Sequence, residues 1–361
     1  MRVVFRADAS VMIGTGHVMR CLTLADALRA RGAHCHFVTR ALAGHPGALI
    51  EARGFAVSLL PEPSDDTEIA GPPAHANWAG VTWQQDLEET LDVVSTADWL
   101  IVDHYAFDAR WQRGFAGRIA RVMVIDDLAD RPHHAALLLD QNLGSAASDY
   151  RGLLPVDCSC LIGPRFALLR PEFAAQRAES LAQRKDRKPS HLMITMGGMD
   201  ANDATSSVLR VLAGIALPTE ARLSIVMGSR APALERVQAL AAEMPWPSEV
   251  LVDVQNMAEL MTGADLAIAA AGSTTWELCC LGVPSVLVQT ADNQAGAVTA
   301  MSKAGAALSP GDLSDPTFGK QLAETVGELL NRETNLRIAA NAAKQCDGNG
   351  AQCVAASLWE Y

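Results

Sequence analysis

Several things are scarce or missing in this sequence, and each absence narrows the field. No run is long and apolar enough to span a bilayer as a helix. Positive charge is short: 29 Lys and Arg stand against 41 Asp and Glu, a formal net charge of -12. That balance argues against a nucleic-acid polymer or an anionic membrane surface as partner. The eight cysteines are Cys21, Cys35, Cys158, Cys160, Cys279, Cys280, Cys346 and Cys353, with no CxxC pair among them. Cys158-Ser159-Cys160 lacks a second ligand pair at zinc-finger spacing, so the cysteines read as reduced packing residues. His133-His134 is too weak a pattern to hold a metal, and no metal site or cofactor is predicted. There is no GxxxxGK[ST], no GxGxxG and no D-x-D triplet. The opening MRVVFRADAS reads as a first strand and not as a signal peptide, so a cytoplasmic location is expected.

What is present is length and alternation. A chain of 361 residues with 49% hydrophobic content can bury two cores. Strands are predicted at Arg2–Phe5, His34–Thr39, Ala56–Leu60, Trp99–Val102, Val122–Ile125 and Ala136–Leu139. The helix Val18–Arg31 falls between the first two and is closed by Gly32. Residues 174–190, "AAQRAESLAQRKDRKPS", are charged, lack a core-forming run and read as a linker. Strand and helix then alternate again, with strands at His191–Thr195, Leu223–Val226, Val250–Val252, Leu266–Ala270 and Ser285–Gln289. The expected fold class is α/β: two Rossmann-like domains with parallel sheets, 1–173 and 191–345, and a ligand cleft between them. Residues 346–361 are expected to close the chain as a helix docked on the first domain.

Ligands of open α/β sheets sit outside the carboxyl ends of the strands. The first strand is followed by Asp8 and by the turn Gly14-Thr15-Gly16-His17. Later strands deliver Asp103-His104-Tyr105, Asp126-Asp127 and Asp140-Gln141-Asn142 to the same rim. Together they suit a hydroxyl- or amide-rich ligand, although any one Asp could simply cap a turn. In the second domain, Gly197-Gly198 precedes a helix capped by Asp200, Asn202 or Asp203. Gly272-Ser273-Thr274 precedes another. Glycine turns at helix starts bring backbone N–H groups to a phosphate, and two of them make a diphosphate cradle. Glu277 is either the third-position partner of a capping box or a carboxylate accepting ribose hydroxyls. Asn293 and Gln294 follow the last strand and suit sugar hydroxyls or phosphate.

The blocks "RADASVMIGTGHVMRCLTLADALRARG", "IDDLADRPH", "LLLDQN", "GPRFALLRPEF", "MGGMDANDAT" and "AAGSTTWELCCLGVP" occur in order along nearly the whole chain. Together they resemble the family of UDP-2,4-diacetamido-2,4,6-trideoxy-β-L-altropyranose hydrolases of pseudaminic acid biosynthesis. These are similar to GT-B glycosyltransferases that use UDP-N-acetylglucosamine, but they pass the sugar to water. The resemblance implies GT-B architecture, UDP held mainly by the C-terminal domain, and a small-molecule UDP-sugar as partner. It carries the catalytic base onto His17 and makes Tyr105 a helper. It carries UDP contacts onto Gly197-Gly198, Gly272-Ser273-Thr274 and Glu277.

One base suffices chemically, because a nucleoside diphosphate leaves without protonation, whereas glycosidases with poor leaving groups need an acid and a base. The helix start is expected to keep His17 neutral, with Asp8, if near, opposing this or orienting the ring. Attack opposite UDP predicts inversion. The rival readings are a GT-B glycosyltransferase with a hydroxyl acceptor and a non-catalytic nucleotide-sugar binding protein. A nicotinamide oxidoreductase fits poorly, since Thr39-Arg40 sits where its acidic residue belongs.

Overall fold

Strand β1 (Arg2–Ala7) has no polar alternation, and all of it but Arg2 is buried, as expected of a strand covered on both faces of a parallel sheet. The computed structural model describes residues 1–10, 13–64, 69 and 71–361, and they divide into two units. The first unit contains Met1–Leu168 and Gly350–Tyr361. Its elements after β1 are α1 (Gly16–Ala30), β2 (His34–Arg40), α2 (Gly47–Ala52), β3 (Ala56–Leu60), α3 (Trp83–Val93), β4 (Ala97–Asp103), α4 (Ala109–Arg113), β5 (Ile119–Ile125), β6 (Leu137–Asp140) and β7 (Ser159–Ile162). They form one parallel seven-stranded sheet in the order β3-β2-β1-β4-β5-β6-β7. The order reverses between β1 and β4, and their register sets Ala7 opposite Asp103.

Helix α1 ends as its glycine promised. The Gly32 N–H bonds the Arg29 carbonyl at 2.9 Å and the Ala33 N–H the Leu28 carbonyl at 3.1 Å, the two bonds of a Schellman motif. Several of the observed strands run one to three residues beyond the expected ends, and β7, only four residues long, was not predicted.

The second unit is Leu169–Asn349. It contains α5 (Pro171–Gln183), β8 (His191–Thr195), α6 (Ala204–Ala213), β9 (Arg222–Met227), α7 (Leu234–Ala242), β10 (Ser248–Val252), α8 (Met257–Gly263), β11 (Leu266–Ala270), α9 (Thr274–Leu281), β12 (Ser285–Val288), α10 (Ala295–Lys303), α11 (Phe318–Leu330) and α12 (Arg332–Ala343). Its parallel sheet has the order β10-β9-β8-β11-β12, reversing between β8 and β11. The last helix, α13 (Gly350–Glu360), is part of the first unit. Its Ala351, Val354, Ala355 and Leu358 share the core of β1 and α1, and the Trp99 indole N–H bonds the Leu358 carbonyl at 3.1 Å.

The expected linker at 174–190 is corrected by α5, which packs on α8 and α9. Its charge misled because its arginines act on helix ends. Arg177 donates to the carbonyls of Cys280, Cys346 and Ala343, and Arg184 to those of Leu281, Ala264 and Met261. The last turns of helices leave such carbonyls unpaired, and cations are favoured there.

Behind the rim of the first sheet lies a buried ion network. The Asp86 carboxylate accepts from Arg6 at 2.6 Å, Arg40 at 2.8 Å and the Trp111 indole at 3.1 Å. All three charged side chains are fully buried. A cavity of about 530 Å³ lies at the opposite, amino edge of this sheet, around Arg2, Arg29, His34 and His36. Arg2 and Arg29 are already bonded there, to Thr96 and to Asp26. Removing one partner from a buried ion cluster leaves the others unpaired. Asp86→Ala is therefore expected to destabilise the first unit by about 3–5 kcal/mol, read as a fall in Tm of roughly 10 °C by circular dichroism. An unchanged Tm would show that the network carries no stability.

Candidate active site

The first unit brings its polar groups together where its strand order reverses. Beyond β1, the chain turns through Gly14, at φ 76°, whose N–H bonds the Ser10 carbonyl at 2.9 Å. Thr15 is the N-cap of α1, its side chain making no cap bond, and Gly16 is the first helical residue, with nothing within 4 Å of a Cβ built on it. His17 follows on the first turn. Its Nδ1 lies 2.5 Å from Asp103 Oδ1, at the carboxyl end of β4. Arg20, three residues further along α1, grips the same carboxylate with both arms: Nε to Oδ2 at 2.6 Å and Nη2 to Oδ1 at 2.7 Å.

Burial alone would push Asp103 up, but the Arg20 guanidinium and His17 hold its carboxyl well below the usual carboxylate range. It is therefore a permanent anion, which favours a proton on the His17 Nδ1 facing it and leaves Nε2 as the free acceptor. The His17 side chain is 12% exposed, so it is reachable without being loose. Tyr105 packs edge-on against it, ring centroids 4.9 Å apart. The phenol donates to Asp127 at 2.5 Å, and Arg20 reaches that second carboxylate at 3.6 Å. Burial and then Asp127 push the Tyr105 hydroxyl far up, so it stays protonated. Trp78 and His75, from the 3₁₀ turn between β3 and α3, extend the aromatic wall. Trp78 lies 5.4 Å from Tyr105, and His75 lies 4.9 Å from Trp78.

Asp8 does not take the orienting role offered to it. It lies in the buried network behind the rim, accepting from Arg6 at 2.6 Å, Thr39 at 3.0 Å and the Arg40 N–H at 2.7 Å, with His104 at 3.2 Å. The carboxylate on His17 is Asp103. The sequence placed Asp103 and Asp127 at strand ends without roles. Arg20 carried one signal, its i+3 spacing from His17. Trp78 and His75 carried none, since only the chain's return from β3 brings them to this rim.

In the second unit, Gly197 (φ 88°) and Gly198 follow β8, and Gly272, Ser273 and Thr274 follow its neighbour β11. A Cβ built on Gly197, Gly198 or Gly272 meets nothing within 4 Å, so there is space in front of each turn. The two turns differ at their helices. Of the expected caps, Asp200 does the work at α6, accepting from the Ala204 and Thr205 N–H groups at 2.9 Å each. Asn202 instead donates to the Thr290 carbonyl at 3.0 Å, and the Gln294 side-chain Oε1 accepts from the Thr290 N–H at 2.8 Å. The Asn202 bond ties the turn after β8 to the loop after β12, which the Gln294 bond closes on itself and where Asn293 is exposed. At α9 no side chain caps the helix. The capping-box reading of Glu277 therefore fails. The Thr275 and Trp276 N–H groups bond the Gly272 and Ser273 carbonyls at 3.0 and 3.1 Å, which leaves the Ser273 and Thr274 amides for another partner. Burial pushes the Glu277 carboxyl up to about 7, Arg170 pulling it down and Glu172 adding to the rise.

Residues 191–355 match the model of the glycosyltransferase family 28 C-terminal domain. With two parallel α/β units, the chain has the GT-B fold of nucleotide-sugar glycosyltransferases. Its fold is that of the MurG of Acinetobacter baumannii, with a TM-score of 0.70 at 17% identity over 100% of this chain and 99% of that one. The family resemblance read from the sequence recurs in a relative. The chain is 25% identical over 307 residues to the UDP-2,4-diacetamido-2,4,6-trideoxy-beta-L-altropyranose hydrolase of Campylobacter jejuni, covering 84% of this chain and 97% of that one. It is also 30% identical over 165 residues to a Hahella chejuensis UDP-N-acetylglucosamine–N-acetylmuramyl-(pentapeptide) pyrophosphoryl-undecaprenol N-acetylglucosamine transferase, 44% of each chain.

The raised Glu277 carboxyl gives a stability signature. Folded Glu277 holds its proton up to about pH 7, against 4.5 for the ordinary group. Its ionisation therefore disfavours the folded state as pH rises from about 4.5 through 7, by up to roughly 3 kcal/mol before solvent screening is discounted. Glu277→Gln removes that loss. The Tm of the variant relative to the parent should climb between pH 5 and pH 8 and then level off. A difference that stays flat across this range would contradict the burial of the carboxyl.

Proposed function

We propose that this protein hydrolyses a UDP-linked diacetamido-trideoxy sugar, UDP-2,4-diacetamido-2,4,6-trideoxy-β-L-altropyranose, to UDP and the free sugar in pseudaminic acid biosynthesis. The observation that carries the reading is the His17–Asp103–Arg20 arrangement. An ionised Asp103, fixed by two arms of Arg20, orients the imidazole through Nδ1, and Nε2 accepts a proton from water as it attacks the anomeric carbon. The C1–O bond to the diphosphate breaks, and UDP carries away the electron pair without needing an acid. Attack from the face opposite UDP inverts the anomeric configuration. Tyr105, protonated and held by Asp127, serves as a positioning neighbour of the ring.

The nucleotide falls to the second unit in this reading. The Gly197-Gly198 and Gly272-Ser273-Thr274 turns offer amides to the diphosphate, those of Ser273 and Thr274 at the start of α9 meet the charge growing on it, and Glu277 accepts from the ribose hydroxyls. The whole-chain relative from Campylobacter jejuni supports the hydrolase over its rivals. The family 28 C-terminal domain supports a second reading, transfer of the sugar to a hydroxyl acceptor on the same machinery.

Proton NMR of the UDP-sugar with the protein and a chelator separates the two. Hydrolysis gives free sugar with no acceptor present, and the first-formed anomer is inverted. UDP release that waits for an added alcohol would establish the transferase, and a retained first anomer would refute the one-base scheme. His17→Ala is expected to lower kcat by about 10²–10⁴-fold. Asp103→Asn, which leaves the ring without its anionic partner, should cost about 10²-fold or more. Activity within twofold of the parent in His17→Ala would remove His17 from the mechanism, and in Asp103→Asn would remove the orienting role of Asp103.

A further inference from the structure

The turn after β8 has an open front and a closed back. Against the back lies Gly228, which follows β9, the strand paired with β8 on the side away from β11. Its N–H donates to the Gly198 carbonyl at 3.0 Å. A Cβ on Gly228 would sit 2.4 Å from that oxygen, 3.1 Å from the Gly198 carbonyl carbon and 3.3 Å from its Cα. All three are backbone atoms, so no flexible side chain can yield.

Gly228 is not among the glycines at positive φ. Its backbone is one that any residue adopts, and glycine is required there only for the approach. The residues after it are fixed in turn. The Asp253 carboxylate accepts from the Ser229 N–H at 3.0 Å, and the Asp253 N–H donates to the Met227 carbonyl at 3.0 Å. β9 and β10 thus brace the Gly197-Gly198 turn from one side.

On the other side, Asp200 already occupies the first amides of α6. An anion at this strand end must therefore be met by peptide groups of the Gly197-Gly198 turn itself, and their aim is set by where the Gly198 peptide lies. We propose that Gly228 is the positioning residue of this phosphate turn: its missing side chain lets β9 hold the Gly198 peptide where its neighbours can receive the diphosphate of a UDP-sugar. The inference rests on the nucleotide reading given above. It adds a residue that does not touch the ligand and that no motif in the sequence marks.

Gly228→Ala forces the Gly198 carbonyl away by about half an ångström, enough to misalign short hydrogen bonds to phosphate. Titration calorimetry with UDP is expected to show about tenfold weaker binding. KM for the UDP-sugar should rise to match, while kcat at saturation stays within about threefold, because His17 and Asp103 lie in the other unit. A merely structural role would lower Tm without splitting KM from kcat. Gly327→Ala, on α11 with open space in front of its Cβ, is the control expected to bind UDP as the parent does.

Should Gly228→Ala not fold, Asp253→Gly decides. Glycine takes the φ of 52° found at this position without strain, and the substitution deletes only the carboxylate that holds Ser229. UDP binding about threefold weaker at an unchanged Tm supports the inference. If the parent does not bind UDP, the nucleotide reading of the turn falls. If the parent binds UDP and the folded variants bind it equally well, the role of Gly228 alone falls.

Discussion

One carboxylate organises the first unit's site. Asp103 receives the His17 ring at 2.5 Å and two arms of Arg20 at 2.6 and 2.7 Å, with no exposure of its own. A buried anion survives only when it is paired and hydrogen-bonded. Here the pairing comes from α1, the helix that begins at the turn leaving β1. The parallel register of β1 with β4 puts Asp103 beside that exit. A helix start, a strand end and a cation one helical turn along are thereby locked into one orientation of one imidazole.

The same requirement explains the rest of this rim. Asp8 and Asp86 are buried, and each is met by guanidinium groups of Arg6 or Arg40. Burial would raise the Asp8 carboxyl, but Arg6 and then His104 hold it far below the ordinary range. In an acidic chain, arginine is thus placed where carboxylates are dry, and the surface keeps the surplus negative charge. Asp8 belongs to this support layer. It ties the chain just beyond β1 to Thr39 and Arg40 at the end of β2.

The second unit solves a different problem with the same strand order. Its two central strands end in glycine turns, one followed by a helix whose amides are filled by Asp200 and the other by a helix that no side chain caps. At the second helix the turn's own carbonyls, those of Gly272 and Ser273, take the Thr275 and Trp276 amides. Turns and helix starts of this kind are where backbone dipoles can meet negative charge.

Much of this was legible in the residues. The α/β alternation, the parallel strands, the glycine turns and the place of His17 behind Gly14-Thr15-Gly16 follow from local patterns, because periodicity and turn chemistry act over a few neighbours. Helix α5 was missed because its arginines bind helix ends far along the chain, which no local pattern reports. The partner of His17 was misjudged for the same reason. Asp8 is near in sequence and Asp103 is 86 residues away, and only the pairing of β1 with β4 decides which one meets the ring. Glu277 shows the limit from the other direction: its spacing fitted a cap and a ligand contact equally, and the absence of a capping bond at Ser273 in the folded chain removes the cap. The sequence by itself determined the elements and the chemical groups at their ends. Tertiary structure decided which groups are neighbours, because burial forces each charge to find a partner among strands that the fold, and not the chain order, sets side by side.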